Sequence, residues 1–211
     1  MPEIRHDGYA LLPGAIPPDL LPQAQAAFDA GYLPSPDWPT PRGADWQHAQ
    51  VDLDPAVIAI TRLPAVLEAA GALIGAPFFL MQIEGREPLQ DNPAQPLHRD
   101  AEGSEYPFAV ALIYLDDYGP DNGATQLVPG SHRGPGDAAP LVLSGQAGDI
   151  CVLDANLLHG ATSNISGSRR RMLLATYADI ILRSDLVATE ALRGVRMDTS
   201  KVLLKPDSGA D

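Results

Sequence analysis

Cysteine is nearly absent: Cys151 stands alone in 211 residues, so no intrachain disulfide can brace the fold, and the chain reads as suited to a reducing, cytoplasmic setting. It sits in the apolar run ICVL (150–153), which predicts a packed core thiol rather than a reactive one. Basic residues are scarce as well, with 14 Lys and Arg against 27 Asp and Glu for a net charge of −13. Such a balance disfavours a nucleic-acid backbone or an anionic membrane as partner. No apolar run approaches membrane-spanning length, and the opening MPEIRHDGYALLPG lacks a charged-then-apolar signal pattern.

Hydrophobic residues make up 45% of the chain and charged ones 19%, beside 19 Gly and 21 Pro. This is enough apolar material for one core and predicts a single domain over residues 1–211, built mainly from short strands and turns. No internal repeat or long low-complexity tract interrupts it. Residues 8–16 suggest a strand, 19–30 a helix opened by Pro17 and Pro18, 33–50 a loop, and 55–75 an alanine-rich helix. Beyond Pro77 the pattern turns to strands at 78–85, 108–117, 124–132, 141–144, 148–160 and 169–180, with a proline-rich loop at 87–96. The expected architecture is a sandwich or open barrel, with the N-terminal helices packed on one outer face.

Two polar groups break into this apolar pattern. LHRD (97–100) places His98 and Asp100 two positions apart, so on a strand both side chains face one side while Arg99 faces the other. His159, near the end of a later strand, completes two imidazoles and one carboxylate, the facial set that holds Fe(II) in non-haem oxygenases. Three protein ligands leave three neighbouring positions, two for a chelating 2-oxo acid and one for dioxygen. A run of three arginines, Arg169 to Arg171, offers planar forks for a carboxylate. Alternation pairs Arg170 with Met172, Leu174 and Thr176, and Arg169 and Arg171 with Leu173, Ala175 and Tyr177. It does not say which face is inward.

These segments, in this order, resemble the phytanoyl-CoA dioxygenase family of Fe(II)/2-oxoglutarate oxygenases. The resemblance runs from about Gln82 to Tyr177 and rests on LHRD, DNGATQLVPGSH (121–132) and GDICVLDANLLHGATSNISGSRRRMLLATY (148–177), with Asn164 five residues after His159. It implies a double-stranded β-helix (a jelly-roll, cupin-like core) and a hydroxylase that couples decarboxylation of 2-oxoglutarate to oxidation of a small or medium-sized organic substrate by dioxygen. It makes His98, Asp100 and His159 the iron ligands. By the family's spacing after the second histidine, Arg170 holds the far carboxylate of 2-oxoglutarate, which leaves Arg169 and Arg171 as solvent-facing charges. Two positions depart from the family pattern: Ala161 stands where a small hydroxyl residue is common, and Leu97 where an aromatic is frequent. A retained Asp100 argues for hydroxylation over halogenation.

Other residues receive lesser roles. Gln82, on the strand before the iron loop, is placed to reach the co-substrate. His6 and His48 lie in polar surroundings and are expected to be exposed. His132 follows a turn and is assigned a loop or capping role, Asn164 a turn role. Substrate contacts are expected from 33–50, 86–97, 101–107 and 181–204, with Trp38, Trp46, Tyr106 and Phe108 as candidate pocket aromatics. Two further readings compete: a non-catalytic β-helix module that binds a ligand, and a cupin-like metalloenzyme independent of 2-oxoglutarate.

Overall fold

Eleven strands and six α-helices follow one another in the computed structural model, which describes residues 2–136 and 138–204. The order is α1 (Pro2–Asp7), β1 (Tyr9–Leu12), α2 (Leu20–Ala30), β2 (Trp46–Ala49), α3 (Pro55–Thr61), α4 (Pro64–Ile74), β3 (Phe78–Pro88), β4 (Gln95–His98), β5 (Phe108–Tyr114), β6 (Thr125–Leu127), β7 (Leu141–Val142), β8 (Ile150–Asp154), β9 (His159–Ala161), β10 (Met172–Asp179), α5 (Arg183–Val187), α6 (Glu190–Arg193) and β11 (Val202–Leu203). Seven strands form a large antiparallel sheet in the order β1-β8-β5-β10-β3-β11, with β2 also on β3. Four form a smaller one, β4-β9-β6-β7. Facing sheets of this kind make a double-stranded β-helix.

Helices α1 to α4 cover one face of the large sheet. Ala111, Ile113, Leu173, Ala175 and Tyr177 point from that face into a core shared with Phe28 of α2 and with Val66, Ala69 and Ala70 of α4. Their alternates Val110, Leu112, Tyr114 and Met172 point into the space between the sheets, as strand alternation requires. The predicted 55–75 helix is two helices: Pro64 lacks an amide hydrogen and sits at the first turn of α4, so the axis bends by 51° there. Among the described residues no single helix is long and apolar enough to cross a membrane.

One irregularity shapes the interior. The β10–β3 register runs Thr176↔Gln82 and then Tyr177↔Leu80, leaving Met81 as an extra residue. Such a bulge re-aims the strand. Here it turns two successive residues, Met81 and Gln82, to the interior, where both line one cavity.

Gly85 marks the close approach of α2 to β3. A Cβ there would stand 2.7 Å from the Phe28 ring and 2.9 Å from Ala49. Gly85→Ala is expected to cost about 1–3 kcal/mol through overpacking, read as a lower urea midpoint at unchanged slope.

Candidate metal and co-substrate site

His98 and His159 are direct cross-strand partners in the β4–β9 pair, so their side chains share a face and their ring centroids lie 4.5 Å apart. Each Nδ1 stands 2.9 Å from the carbonyl oxygen two residues earlier, Pro96 for His98 and Leu157 for His159. A carbonyl only accepts, so both Nδ1 atoms carry hydrogen and both Nε2 atoms face the interior. Asp100 lies just past β4 and not on it; strand alternation is therefore not what brings it to the histidines. Its amide donates to Ala155 O at 2.8 Å, and its carboxylate reaches His98 Nε2 at 3.3 Å and His159 Nε2 at 3.5 Å. Ligand atoms about 2.1 Å from one ion lie roughly 3 to 3.5 Å apart, so the donor set fits a metal ion. The three ligand atoms all lie within 4.8 Å of one another.

Burial alone would raise the Asp100 carboxyl, but the imidazoles of His159 and His98 outweigh it and hold it well below the usual range. The hydrogen bond to Asp100 raises the His98 imidazole, against burial. Arg99 turns away, as expected, and donates to the carbonyls of Ser131, Asn156 and Gly134 at 2.6–3.1 Å. Those bonds lock the loop carrying Asp100 against its neighbours.

The three arginines separate by burial and partner. Arg169 donates to Glu87 and Asp29 at 2.7–2.9 Å. Arg171 is only 9% exposed and donates to Asp116 and Asp29; the expectation that both face solvent fails for Arg171, because two carboxylates draw it in. Arg170 is 1% exposed and has no carboxylate. Its Nη1 meets only the Met172 sulfur at 3.3 Å, its Nε has no partner, and its guanidinium carbon lies 5.6 Å from the Trp46 ring centroid. Burial pushes its pKa down to about 10. A buried guanidinium in this condition costs several kcal/mol until an anion meets it.

Arg170 opens into the same narrow pocket as His98, Asp100 and His159, with Trp46, Gln95 and Thr125. Thr125 is the cross-strand partner of Ala161, so a hydroxyl stands one strand away from the position where the sequence lacks one. Its Oγ1 accepts from the Tyr114 hydroxyl at 2.9 Å, which leaves its own hydrogen for an acceptor in the pocket. Thr125 lies inside the DNGATQLVPGSH segment and Gln95 just before LHRD, and neither carries a signal of its own in the sequence. Gln82 lines the neighbouring cavity and is not among the residues of the Arg170 pocket.

That neighbouring cavity holds about 340 Å³ and reaches Asp100. Phe108 lines it, whereas Trp38 packs against the Arg42 guanidinium and His48, and Tyr106 is exposed. His132 accepts its expected loop role, with Nε2 3.2 Å from Arg5 O. Buried Asn164 binds the Pro88 and Ser168 carbonyls, a turn role as expected. His6 is exposed, but His48 is not: it is 7% exposed on β2. The short strand hid this, since its burial comes from β3 and Trp38 rather than from local pattern.

The fold is a double-stranded β-helix, and its site presents a donor set that fits a metal ion. The sequence matches the phytanoyl-CoA dioxygenase (PhyH) family over residues 4–172, and the chain belongs to that family. It is 26% identical to an L-proline trans-4-hydroxylase of Streptomyces griseoviridis over 62% of this chain and 65% of the relative. It is 39% identical to the dioxygenase olcK of Penicillium canescens over 39% of this chain and 33% of the relative. The matches thus span less than two thirds of these curated relatives. Among solved structures, the non-heme alpha ketoglutarate dependent epimerase SnoN from nogalamycin biosynthesis superposes with a TM-score of 0.71 at 20% identity, over 84% of this chain and 81% of that one.

Two predictions follow from the site's packing. Burial first, then the Arg86 charge, lowers the His48 imidazole from 6.5 to about 4. The unfolded chain therefore binds more protons between those values, so His48 stabilises fully above pH 6.5 and progressively less as pH falls toward 4. The expected slope is up to about 1.4 kcal/mol per pH unit; His48→Gln removes that component from the stability–pH profile. At Gly160, a Cβ would stand 2.5 Å from Gln95 O and 2.9 Å from Pro96 O. Gly160→Ala forces β4 off β9 and is expected to weaken metal binding by about 10-fold or more in an anaerobic Fe(II) titration.

Proposed function

We propose that this chain is an Fe(II)- and 2-oxoglutarate-dependent dioxygenase that oxidises a carbon–hydrogen bond of a small organic substrate, a hydroxylase in its simplest form. The observation that carries this reading is Arg170, buried without an acid partner in the pocket that also holds two imidazoles and a carboxylate. His98, Asp100 and His159 would hold the iron, and Arg170 would take the far carboxylate of 2-oxoglutarate, with Thr125 and Gln95 beside it. Iron bound there supplies the activation of dioxygen that is coupled to oxidative decarboxylation of the 2-oxo acid.

The chain's own groups set the conditions for that chemistry. The Nδ1–H of each histidine is held by a carbonyl, so both Nε2 atoms are turned toward the metal position. Arg170 is fixed and desolvated in advance, so a carboxylate meets a donor that need not reorganise. From the C-terminal segment, Arg193 donates to Met81 O and Gln82 Oε1 at 3.1 Å and to Leu186 O at 2.7 Å. This ties Leu186, which lines the cavity, to β3. We place the enzyme in the cytosol, where the lone buried Cys151 stays reduced, its thiol pushed up to about 12 by burial, and we read residues 1–211 as one domain.

Anaerobic titration of Fe(II) and 2-oxoglutarate, followed by the visible charge-transfer band of a chelated 2-oxo acid, tests this. Wild type is expected to form the band and Asp100→Ala to lose it. Arg170→Leu is expected to keep the metal but bind 2-oxoglutarate roughly 100-fold more weakly, about 2.7 kcal/mol. Without ligand it should melt higher, because an uncompensated buried charge is gone. Metal binding with no band in wild type would favour a cupin-like enzyme; no metal binding at all would leave a ligand-binding module.

A further inference from the structure

We infer that the substrate is a small carboxylic acid with an apolar body, and that Arg86 binds its carboxylate; this rests on the dioxygenase reading above. The cavity beside the metal site is walled by Met81, Phe108, Val110, Leu174 and Leu186 on its apolar part. Three polar side chains of β3, Gln82, Glu84 and Arg86, line the rest together with Thr176 and the metal-site Asp100. The bulge at Met81 puts Gln82 in phase with Glu84 and Arg86, so alternation turns all three to the same interior face.

The hydrogen bonds within this set decide what it offers a ligand. Glu84 is buried between two guanidiniums: Oε1 accepts from Arg86 Nε at 2.6 Å and also meets Arg86 Nη2, and Oε2 lies 2.9 Å from Arg42 Nη2. Although close, the Arg42 contact lacks hydrogen-bond alignment, so it acts as charge proximity rather than as a directed bond. Arg86 thereby folds back along β3 with Nη1 unpartnered among the described residues, and its side chain remains 34% exposed. Gln82 Oε1 accepts from Arg193, and since arginine only donates, the Gln82 amide NH2 is turned the other way. The polar wall of β3 therefore presents N–H donors, and its one anion, Glu84, is buried between two guanidiniums.

A donor-only wall suits an acid. A carboxylate gains a charge-assisted bond from Arg86; an ammonium would be repelled by Arg86 and Arg42, because the one Glu84 oxygen without a directed bond, Oε2, is buried beside the Arg42 guanidinium. The Gln82 amide is left for a second acceptor, a carbonyl or hydroxyl, on the same molecule. Arg86 lines both this cavity and the pocket of the metal ligands, so the carboxylate would sit at the junction and the apolar body would extend toward Phe108 and Leu186. At about 340 Å³ the cavity is at the small end of ligand sites.

Matched pairs of neutral and ionised probes test this directly: hexanoate against hexanamide, and 4-phenylbutanoate against 4-phenylbutanamide. Affinities are measured by calorimetry and saturation-transfer NMR on protein loaded with Zn(II) and saturating 2-oxoglutarate, where no turnover occurs. Each acid is expected to bind about tenfold or more tightly than its amide. The double variant Glu84→Gln/Arg86→Gln removes both charges of the β3 pair together; it is expected to bring the ratio within about threefold while 2-oxoglutarate affinity stays within about threefold. The inference is overturned if no acid outbinds its amide in wild type, or if the double variant keeps the preference. It is equally overturned if the double variant loses 2-oxoglutarate affinity instead, which would assign Arg86 to the co-substrate. The same comparison in Arg170→Leu without 2-oxoglutarate reads the cavity alone, so failure of the co-substrate reading and failure of this one are told apart.

Discussion

The pairing of β4 with β9 is the contact on which the candidate site depends. It is short, its register shifts between Gln95 and His98, and it closes only because Gly160 lets the strand backbones meet. Within it the two imidazoles are opposite each other, and each is locked by a carbonyl of its own strand, Pro96 or Leu157. Asp100 then needs only the turn after β4 and one backbone bond to Ala155 to reach both rings. Three ligands therefore derive from one strand pair and one turn. Arg99 adds the lateral restraint, spanning from this turn to the carbonyls at Ser131, Gly134 and Asn156.

Electrostatics divides the arginines that periodicity left undivided. Three consecutive guanidiniums repel one another, and the fold resolves this by giving the outer two carboxylates from outside the pocket: Glu87 and Asp29 for Arg169, Asp116 and Asp29 for Arg171. Arg170 has only Trp46 and the Met172 sulfur. Water solvates a charge better than an aromatic face or a thioether does, so the free protein keeps Arg170 there at a cost that an incoming carboxylate offsets. Stability and ligand binding pull in opposite directions at this position, as they do wherever a site is built before its ligand arrives.

The strands most legible in the sequence are those buried on both faces. FAVALIY, ICVLD and MLLATYAD read as strands because apolar runs between turns have few other uses, and the His-x-Asp pair was visible against that background. GDICVLDANLLHG read as one strand, yet it is β8 and β9, which belong to different sheets; the turn at Asp154–Asn156, where Asp154 accepts from the Asn156 amide at 2.8 Å, carries the chain from one to the other. Beyond the strand runs, local pattern gave less. α1, β2, β11, α5 and α6 are each two to six residues long, too short for a period to register, and their placement comes from tertiary contacts. For the same reason the burial of His48 and Arg171 was illegible: His48 pairs with Arg86 of β3, and the Arg171 carboxylates are 55 and 142 residues away in sequence. Arg170 was selected by family spacing, and burial now supplies a physical reason that one-dimensional alternation lacked.

A single extra residue in β3 ties the two compartments together. Without the bulge at Met81, strict alternation from Phe79 and Met81 would carry Ile83 and Gly85 into the interior and turn Gln82, Glu84 and Arg86 against the helices. Three polar side chains, one of them buried and ionised, would then oppose the apolar face of α2, and Phe28 would lose the glycine that admits it. The bulge reconciles both demands: Phe78 and Leu80, then Ile83 and Gly85, serve the helix layer, while Met81 with Gln82, Glu84 and Arg86 furnish the cavity. Core packing on one face and donor placement on the other are thus set by the same register shift, and neither can be altered along this strand without moving the other.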